Sequence, residues 1–284
     1  MPSTLDLRRR IRSVRNTQQI TRAMKMVAAA KLRRAQERML AARPYSGALH
    51  QVLQSVASRV SADEHPLLRR RPEKNVLLLV MSADKGLCGA FNMNAIKGAL
   101  AALSEQPWEQ VQLLPIGRKA NDFFRRRQMA IRFHAVQVFQ ALSMETAKEI
   151  AQVIIDDYAA EKVDAVWVVY NEFRSMISQR VVLHRMLPIE LEERERTSEV
   201  DYLYEPAPET ILNQLLPRHV EFQLYRMLLE SAAAEHAARM TAMEAATRNA
   251  SDMIDRLTLN YNRLRQAAIT KEIIEIVSGA AALG

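Results

Sequence analysis

Two stretches without a single glycine or proline, residues 3–43 and 218–278, bracket a middle that contains both. Glycine and proline are the residues that interrupt helices, so their absence over such lengths predicts two long helices framing something else. At about 1.5 Å rise per residue the second would be a rod of roughly 90 Å, far longer than the mean helix of a compact domain. A helix of that length protrudes.

Ile254, Leu257, Tyr261, Leu264 and Ala268 recur at alternating steps of three and four, the spacing of a left-handed coiled-coil seam, and Val220, Leu224 and Met227 begin the same spacing upstream. In the first stretch Leu7, Ile11 and Val14, then Ala28, Leu32, Ala35, Met39 and Ala42, share one register, which Gln18, Thr21 and Lys25 interrupt. A simple zipper is therefore not expected. If the middle is one compact body, the first rod enters it and the last leaves it, so the pair is antiparallel. The first rod extends to about Val60 if it passes Pro44 and Gly47, which still leaves the last one longer. The overhang, roughly residues 267–284, carries Ile269, Ile273, Ile274, Ile276, Val277 and Leu283 with no partner in the chain. Such a tip needs a sleeve from another protein; the alternative is a frayed end that self-associates.

A chain of 284 residues with 49% hydrophobic content has ample material for one or two cores, and no apolar run approaches the length of a membrane span. The net charge of +8 is unevenly placed. Residues 1–43 hold Arg8, Arg9, Arg10, Arg12, Arg15, Arg22, Lys25, Lys31, Arg33, Arg34, Arg38 and Arg43 against only Asp6 and Glu37. Such a helix suits nucleic acid, an anionic membrane or a mitochondrial transit peptide. A transit peptide would stand apart from the fold, whereas here the charge shares a helix with the apolar register; a DNA-reading basic region would be followed by its own zipper, and none follows. A basic rod facing acidic protein loops, or a plain solvated face, remains. Cys88 is the single cysteine, which excludes an intrachain disulfide, and the six histidines show no ligand spacing, so no metal site is indicated.

In the middle, Val76–Met81 is an uninterrupted apolar run, as for a strand buried on both faces, followed by a turn at Ser82–Gly89 and a helix from Ala90 to about Gln106. The pattern repeats: strand Val111–Ile116, helix Lys119–Met129, strand Ile131–Phe139, helix Met144–Ala160 and strand Ala165–Tyr170. A hairpin at Asn171–Arg174 then leads to a last strand within Ser175–Pro188. The alternation predicts a Rossmann-like α/β domain with a mainly parallel sheet. The turn SADKGLCGAFN, Ser82–Asn92, offers backbone N–H groups at a helix N-terminus for a phosphate, yet it lacks the spacing of either glycine-rich nucleotide motif; its glycines then serve a tight turn. Asp84, Lys85 and Asn92 are polar there, but no nucleophile–base order or close carboxylate pair supports a reaction. The acidic segment from Glu190 to Glu209 reads as a solvated connection or a docking surface for a basic partner.

The order helix, α/β domain, helix, with QQITRAMKMVAAAKLRRAQ (Gln18–Gln36), SADKGLCGAFN, DYLYEP (Asp201–Pro206) and RLRQAAITKEIIEIVSGAAAL (Arg263–Leu283), closely resembles the γ subunit of bacterial F-type ATP synthases over nearly the entire chain. The resemblance implies an N-terminal shaft helix at 1–60, an α/β foot at 75–190, a connection at 191–209 and a C-terminal shaft helix at 210–284. It implies a non-catalytic rotary shaft without cofactor or metal, present as one copy beside the α and β subunits, the ε subunit and the c-ring. The location implied is the cytoplasmic face of the bacterial inner membrane, with membrane association only through the c-ring and no nucleic acid bound. By matching motif positions, Arg265 and Gln266 look like polar catch residues for loops of β, Met24 and Lys25 occupy the corresponding part of the first helix, and Ile274 and Val277 line an apolar bearing. Tyr204 and Glu205, with Arg43 and Tyr45, resemble the surface toward the c-ring and ε. The single Cys88 departs from the chloroplast form with its regulatory cysteine pair. The rival readings are a nucleotide-binding α/β enzyme and a nucleic-acid binder using the basic helix.

Overall fold

The computed structural model describes residues 3–57, 65–190 and 208–283. In chain order they form α1 (Thr4–Ala57), β1 (Asn75–Met81), α2 (Phe91–Glu105), β2 (Gln110–Ile116), α3 (Arg118–Arg126), α4 (Met144–Ala159), β3 (Ala165–Phe173), β4 (Gln179–Leu187) and α5 (Pro208–Leu283). The chain divides into two compact units, Met1–Ala28 with Met240–Gly284 and Ala29–Arg239, and the long helices α1 and α5 supply residues to both. This is a terminal helix pair, as the absence of glycine and proline at both ends predicts, with a central mixed α/β domain, as the alternation of strands and helices predicts.

α1 starts at a reciprocal cap. The Ser3 hydroxyl accepts the Asp6 amide at 3.1 Å while the Asp6 carboxylate accepts the Ser3 amide at 3.2 Å, so side chains satisfy donors that the first turn leaves over. Both long helices then run through a proline, Pro44 in α1 and Pro217 in α5. An interior proline costs a helix about 3 kcal/mol. Burial of Leu49 and Leu53 beyond Pro44, and of Leu212, Leu216 and Val220 around Pro217, offsets that cost.

In the first unit α1 and α5 pair antiparallel: Thr21 meets Thr247 and Lys25 meets Glu244, so positions rise along one helix as they fall along the other. On α1 Leu7, Ile11, Thr21 and Ala28 are buried, with Val14, Gln18 and Lys25 half-buried between them. On α5 Met243 and Ala250 are buried, and Thr247, Ile254, Leu257, Tyr261 and Leu264 half-buried. Thr21 and Lys25 therefore lie on the seam instead of interrupting it, because Thr247 and Glu244 of α5 stand opposite them, and Gln18 is half-buried on the same face. Ala268 falls outside the seam and is exposed.

The second unit is built on a four-stranded sheet in the order β2-β1-β3-β4, parallel from β2 through β3 and antiparallel at β4. Alternate residues of β1 serve opposite faces. Leu77, Leu79 and Met81 join Ile150 and Ile154 of α4, Leu53 of α1 and the α5 residues Leu212, Leu216, Val220, Leu224 and Met227 in one core. Leu78 and Val80 pack on the other face with Ala99 of α2 and with Ala120 and Phe124 of α3. Each fully buried leucine here contributes about 1.5–3 kcal/mol. Gly98, inside α2, is what lets that helix lie against the sheet: a Cβ there would stand 2.6 Å from a methyl of Val181.

Two predicted segments differ. Residues 131–139 meet β2 only at isolated bridges, Leu113–Ile131 and Ile116–Ala135, and end in a 3-10 turn at Val138–Gln140. The Pro115 carbonyl accepts the Ala135 amide, so the N–H that proline lacks falls on this same edge, and Gln137 has φ 63, which ends any extended run. The hairpin also sits later than predicted. β3 continues to Phe173, and the reversal is closed by Arg174 and Ser175 amides donating to the Ser178 carbonyl.

Candidate functional site

The end of α5 is the most unusual surface among the described residues. From Arg265 to Ser278 every residue is exposed, including Ile269, Ile273, Ile274, Ile276 and Val277, the last at 61%. Continuing the register from Thr21 and Thr247 brings Leu264 level with Thr4, the first residue of α1. Beyond that point α1 has no described residue, and among the described residues the polar contacts of this stretch are intrahelical: the Thr270 hydroxyl donates to the Gln266 carbonyl at 2.9 Å and Lys271 pairs with Glu275 at 3.5 Å.

Arg265 and Gln266 stand exposed at the start of this overhang, with Ile274 and Val277 exposed farther along. Met24 is half-buried, and Lys25 places its ammonium 3.3 Å from Glu244. Hydrogen bonds from Arg248 and Lys25 hold the Glu244 carboxyl below its ordinary range. Sequence reasoning passed over the neighbours Ile20, Met26 and Val27, all more than half exposed on α1. Their signal was a large apolar residue falling off the seam register.

Tyr45 is 51% exposed, its ring 4.8 Å from Phe222 of α5. Arg43 lies within α1, while Tyr204 and Glu205, like the acidic segment beyond Glu190, lie outside the described residues. The site residues thus fall into separate groups, and among those described Arg265, Gln266, Ile274 and Val277 share one helix end.

The turn after β1 spends its polar groups internally. Asn92 Oδ1 accepts the Ala83 amide at 2.8 Å, and Asp84 Oδ1 accepts the amides of Arg118 at 3.0 Å and Gln137 at 2.9 Å. The Gly86 carbonyl accepts from Arg239 of α5, which also pairs with the buried Glu235. Cys88 packs with Ala83, Phe91 and Ala234, and burial pushes its thiol up, away from the reactive thiolate. Ala83 and Cys88, small side chains of SADKGLCGAFN, pack directly against Ala234 of α5. Among the described residues no three His, Cys, Asp or Glu side chains cluster as metal ligands, and no helix is long and apolar enough to cross a membrane.

A family model described as ATP synthase matches residues 3–283. The ATP synthase gamma chain of Solibacter usitatus is 55% identical over 286 residues, covering 99% of each chain, and that of Pelotomaculum thermopropionicum is 51% identical over 284 residues, covering 100% of each. Among solved structures, a chain of the Tetrahymena thermophila mitochondrial ATP synthase central stalk and c-ring is similar with a TM-score of 0.62 at 27% identity, over 80% of this chain and 99% of that one. A chain of the Euglena gracilis mitochondrial ATP synthase shares the fold with a TM-score of 0.70 at 20% identity, over 99% of this chain and 94% of that one. With more than half of its residues identical along the whole length of a relative, and an exposed apolar helix end on an antiparallel coil, the chain belongs to the ATP synthase gamma chain family.

Proposed function

We propose that the exposed end of α5 turns inside a sleeve of three α and three β subunits, while the α/β unit is seated with the ε subunit on a ring of c subunits. As a member of its family the chain is the central rotary shaft of an F-type ATP synthase and performs no bond chemistry itself. The observation that supports the sleeve is the run from Arg265 to Ser278, exposed throughout and rich in isoleucine.

An off-centre coil inside a ring of three catalytic subunits touches each differently, and so holds each nucleotide site in a different conformation and affinity. Rotation exchanges those states. A differential contact energy of about 4 kcal/mol changes nucleotide affinity roughly a thousandfold, enough to turn tight binding into release. In this reading Arg265 and Gln266 are the polar catch that meets loops of β, and Ile274 and Val277 line the bearing. Met24 and Lys25 meet the same subunits from α1, assisted by the exposed Ile20, Met26 and Val27. Arg43, Tyr45, Tyr204 and Glu205 face the c-ring and ε. The arginines of α1 serve acidic protein loops, not nucleic acid. One copy acts per complex, held at the cytoplasmic face of the bacterial inner membrane through the c-ring alone.

The test is ATP hydrolysis by purified α and β subunits with and without this chain, alongside the native mass of the product. A species of three α, three β and one copy of the chain, with raised hydrolysis, supports the shaft. No complex, with the chain alone binding nucleotide or DNA, overturns it.

A further inference from the structure

α5 carries a second stripe with coiled-coil spacing. Leu259, Asn262, Gln266, Ile269, Ile273 and Ile276 follow one another at alternating steps of three and four, all of them exposed, and the sequence continues the spacing at Ala280 and Leu283. With Leu259 as position a of that heptad, the residues that meet α1, Ile254, Leu257, Tyr261 and Leu264, fall at c and f, on the opposite side of the helix. α1 therefore leaves the stripe open even at Leu259 and Asn262, where the two helices run side by side. Asp255, the next position upstream, ends it.

The stripe is complementary to itself. Lys271 and Glu275, paired at 3.5 Å, occupy f and c and keep their charges off it. If identical helices met in parallel and in register, Asn262 would face Asn262, Gln266 would face Gln266, and the isoleucines would stack in layers of their own kind. An antiparallel pairing of Ile269 with Ile273 would instead set Gln266 against Ile276. The flanking g and e positions oppose no like charges in the parallel arrangement, which sets Thr258 against Arg263, Arg265 against Thr270 and Glu272 against Val277. Isoleucine at both a (Ile273) and d (Ile269, Ile276) disfavours two strands and favours three or four. A register side chain covers about 60–120 Å² when buried, so three copies would bring together roughly 1,100–2,200 Å², past the roughly 1,000 Å² that a specific interface requires.

We propose that the free chain associates with further copies of itself through this stripe, as a parallel bundle of three or four α5 ends that shelters the isoleucines before assembly. That role rests on the sleeve reading above: the same isoleucines enter the sleeve, so the bundle competes with the α and β subunits and opens before one copy is threaded. The self-association itself needs no other subunit.

The experiment is sedimentation equilibrium of the full-length chain alone, from submicromolar to tens of micromolar. The mass is expected to rise from that of one copy to that of three or four. Ile273→Lys, which puts a charge in the middle of the stripe, should weaken association at least thirtyfold. Ile274→Lys, one residue away at position b and as exposed, 59% against 55%, should change it less than threefold. Both side chains lie outside the packed fold of the single chain, so helix content and melting temperature stay those of the parent. A mass of one or two copies throughout overturns the proposal. So does an Ile274→Lys chain weakened as much as Ile273→Lys, because the apolar tip would then be sticky without a register. A bundle that forms but stays intact when α and β subunits are added supports the self-association and overturns the sleeve reading instead.

Discussion

Arg132 grips Asp157 with two nitrogens: Nε donates to Oδ2 at 2.8 Å and Nη2 to Oδ1 at 3.0 Å. The pair fastens residues 131–135, which lack a full strand ladder, to the C-terminal end of α4. Lys162 adds a third contact to a carboxylate whose side chain is only 3% exposed.

Removing that carboxylate's charge leaves a guanidinium without its partner. Asp157→Asn is expected to destabilise the chain by about 2 kcal/mol. The hydrogen bonds from Arg132, with Lys162, hold the Asp157 carboxyl below its ordinary range. Its contribution is therefore complete above the unfolded value near 4 and disappears as pH falls through the lower folded value. Thermal melts of both proteins should converge in acid; a constant difference down to the lowest pH would contradict the assignment.

Gly117, between β2 and α3, has φ 92, and a Cβ there would stand 1.9 Å from the Ser82 carbonyl oxygen. Neither the backbone conformation nor the neighbouring main chain can yield cheaply. Gly117→Ala should cost about 3 kcal/mol or more, read by denaturant unfolding. A variant as stable as the parent would mean that the end of β1 relaxes freely.

His236 of α5 is held neutral: burial, then Lys31 and Arg239, lower it to about 4, and its Nδ1 has no hydrogen-bond partner. The unfolded chain takes up this proton near 6.5, so stability falls as pH drops from there toward 4, by up to about 3 kcal/mol. His236→Leu should flatten the melting temperature over that window. An unchanged slope would assign the dependence to other groups.

Arg265→Ala or Gln266→Ala should lower coupled ATP synthesis about tenfold in the assembled complex while the melting temperature of the isolated chain stays within a degree or two, because neither side chain is packed in the fold. Synthesis at the parental rate would remove both from the catch.

Ending the chain after Ala268 deletes the isoleucine-rich overhang but no seam residue. Assembly with α and β, or the torque the complex delivers, should weaken well before the α/β unit melts. A fully coupled complex built on the shortened chain would refute the bearing.

The seam could be read from sequence because coiled-coil spacing is a local signal, and Leu7, Ile11, Val14, Ile254, Leu257, Tyr261 and Leu264 all lie on it. Thr21 and Lys25 read as interruptions because the partners that make them tolerable, Thr247 and Glu244, are far away in the chain. The strand expected at 131–139 has the right apolar content, but its fate is decided by Pro115, a residue of the neighbouring strand whose edge cannot be known from one sequence. The pairing of α5 with the Gly86 turn was hidden for the same reason. The contacts assigned to Arg265, Gln266, Ile274 and Val277 rest on surfaces of other proteins, about which this chain's own packing is silent.

The core that unites Leu77, Leu79 and Met81 with Leu212, Leu216, Val220 and Leu224 sets a schedule for the growing polypeptide. On a ribosome adding about 5–20 residues per second, the strand leaves the exit tunnel roughly seven to twenty-seven seconds ahead of the helix that covers it. Until then that side of the nascent sheet is sticky, and a holding chaperone or slow collapse must guard it. Folding of this chain is therefore finished late, after nearly the last quarter has been translated.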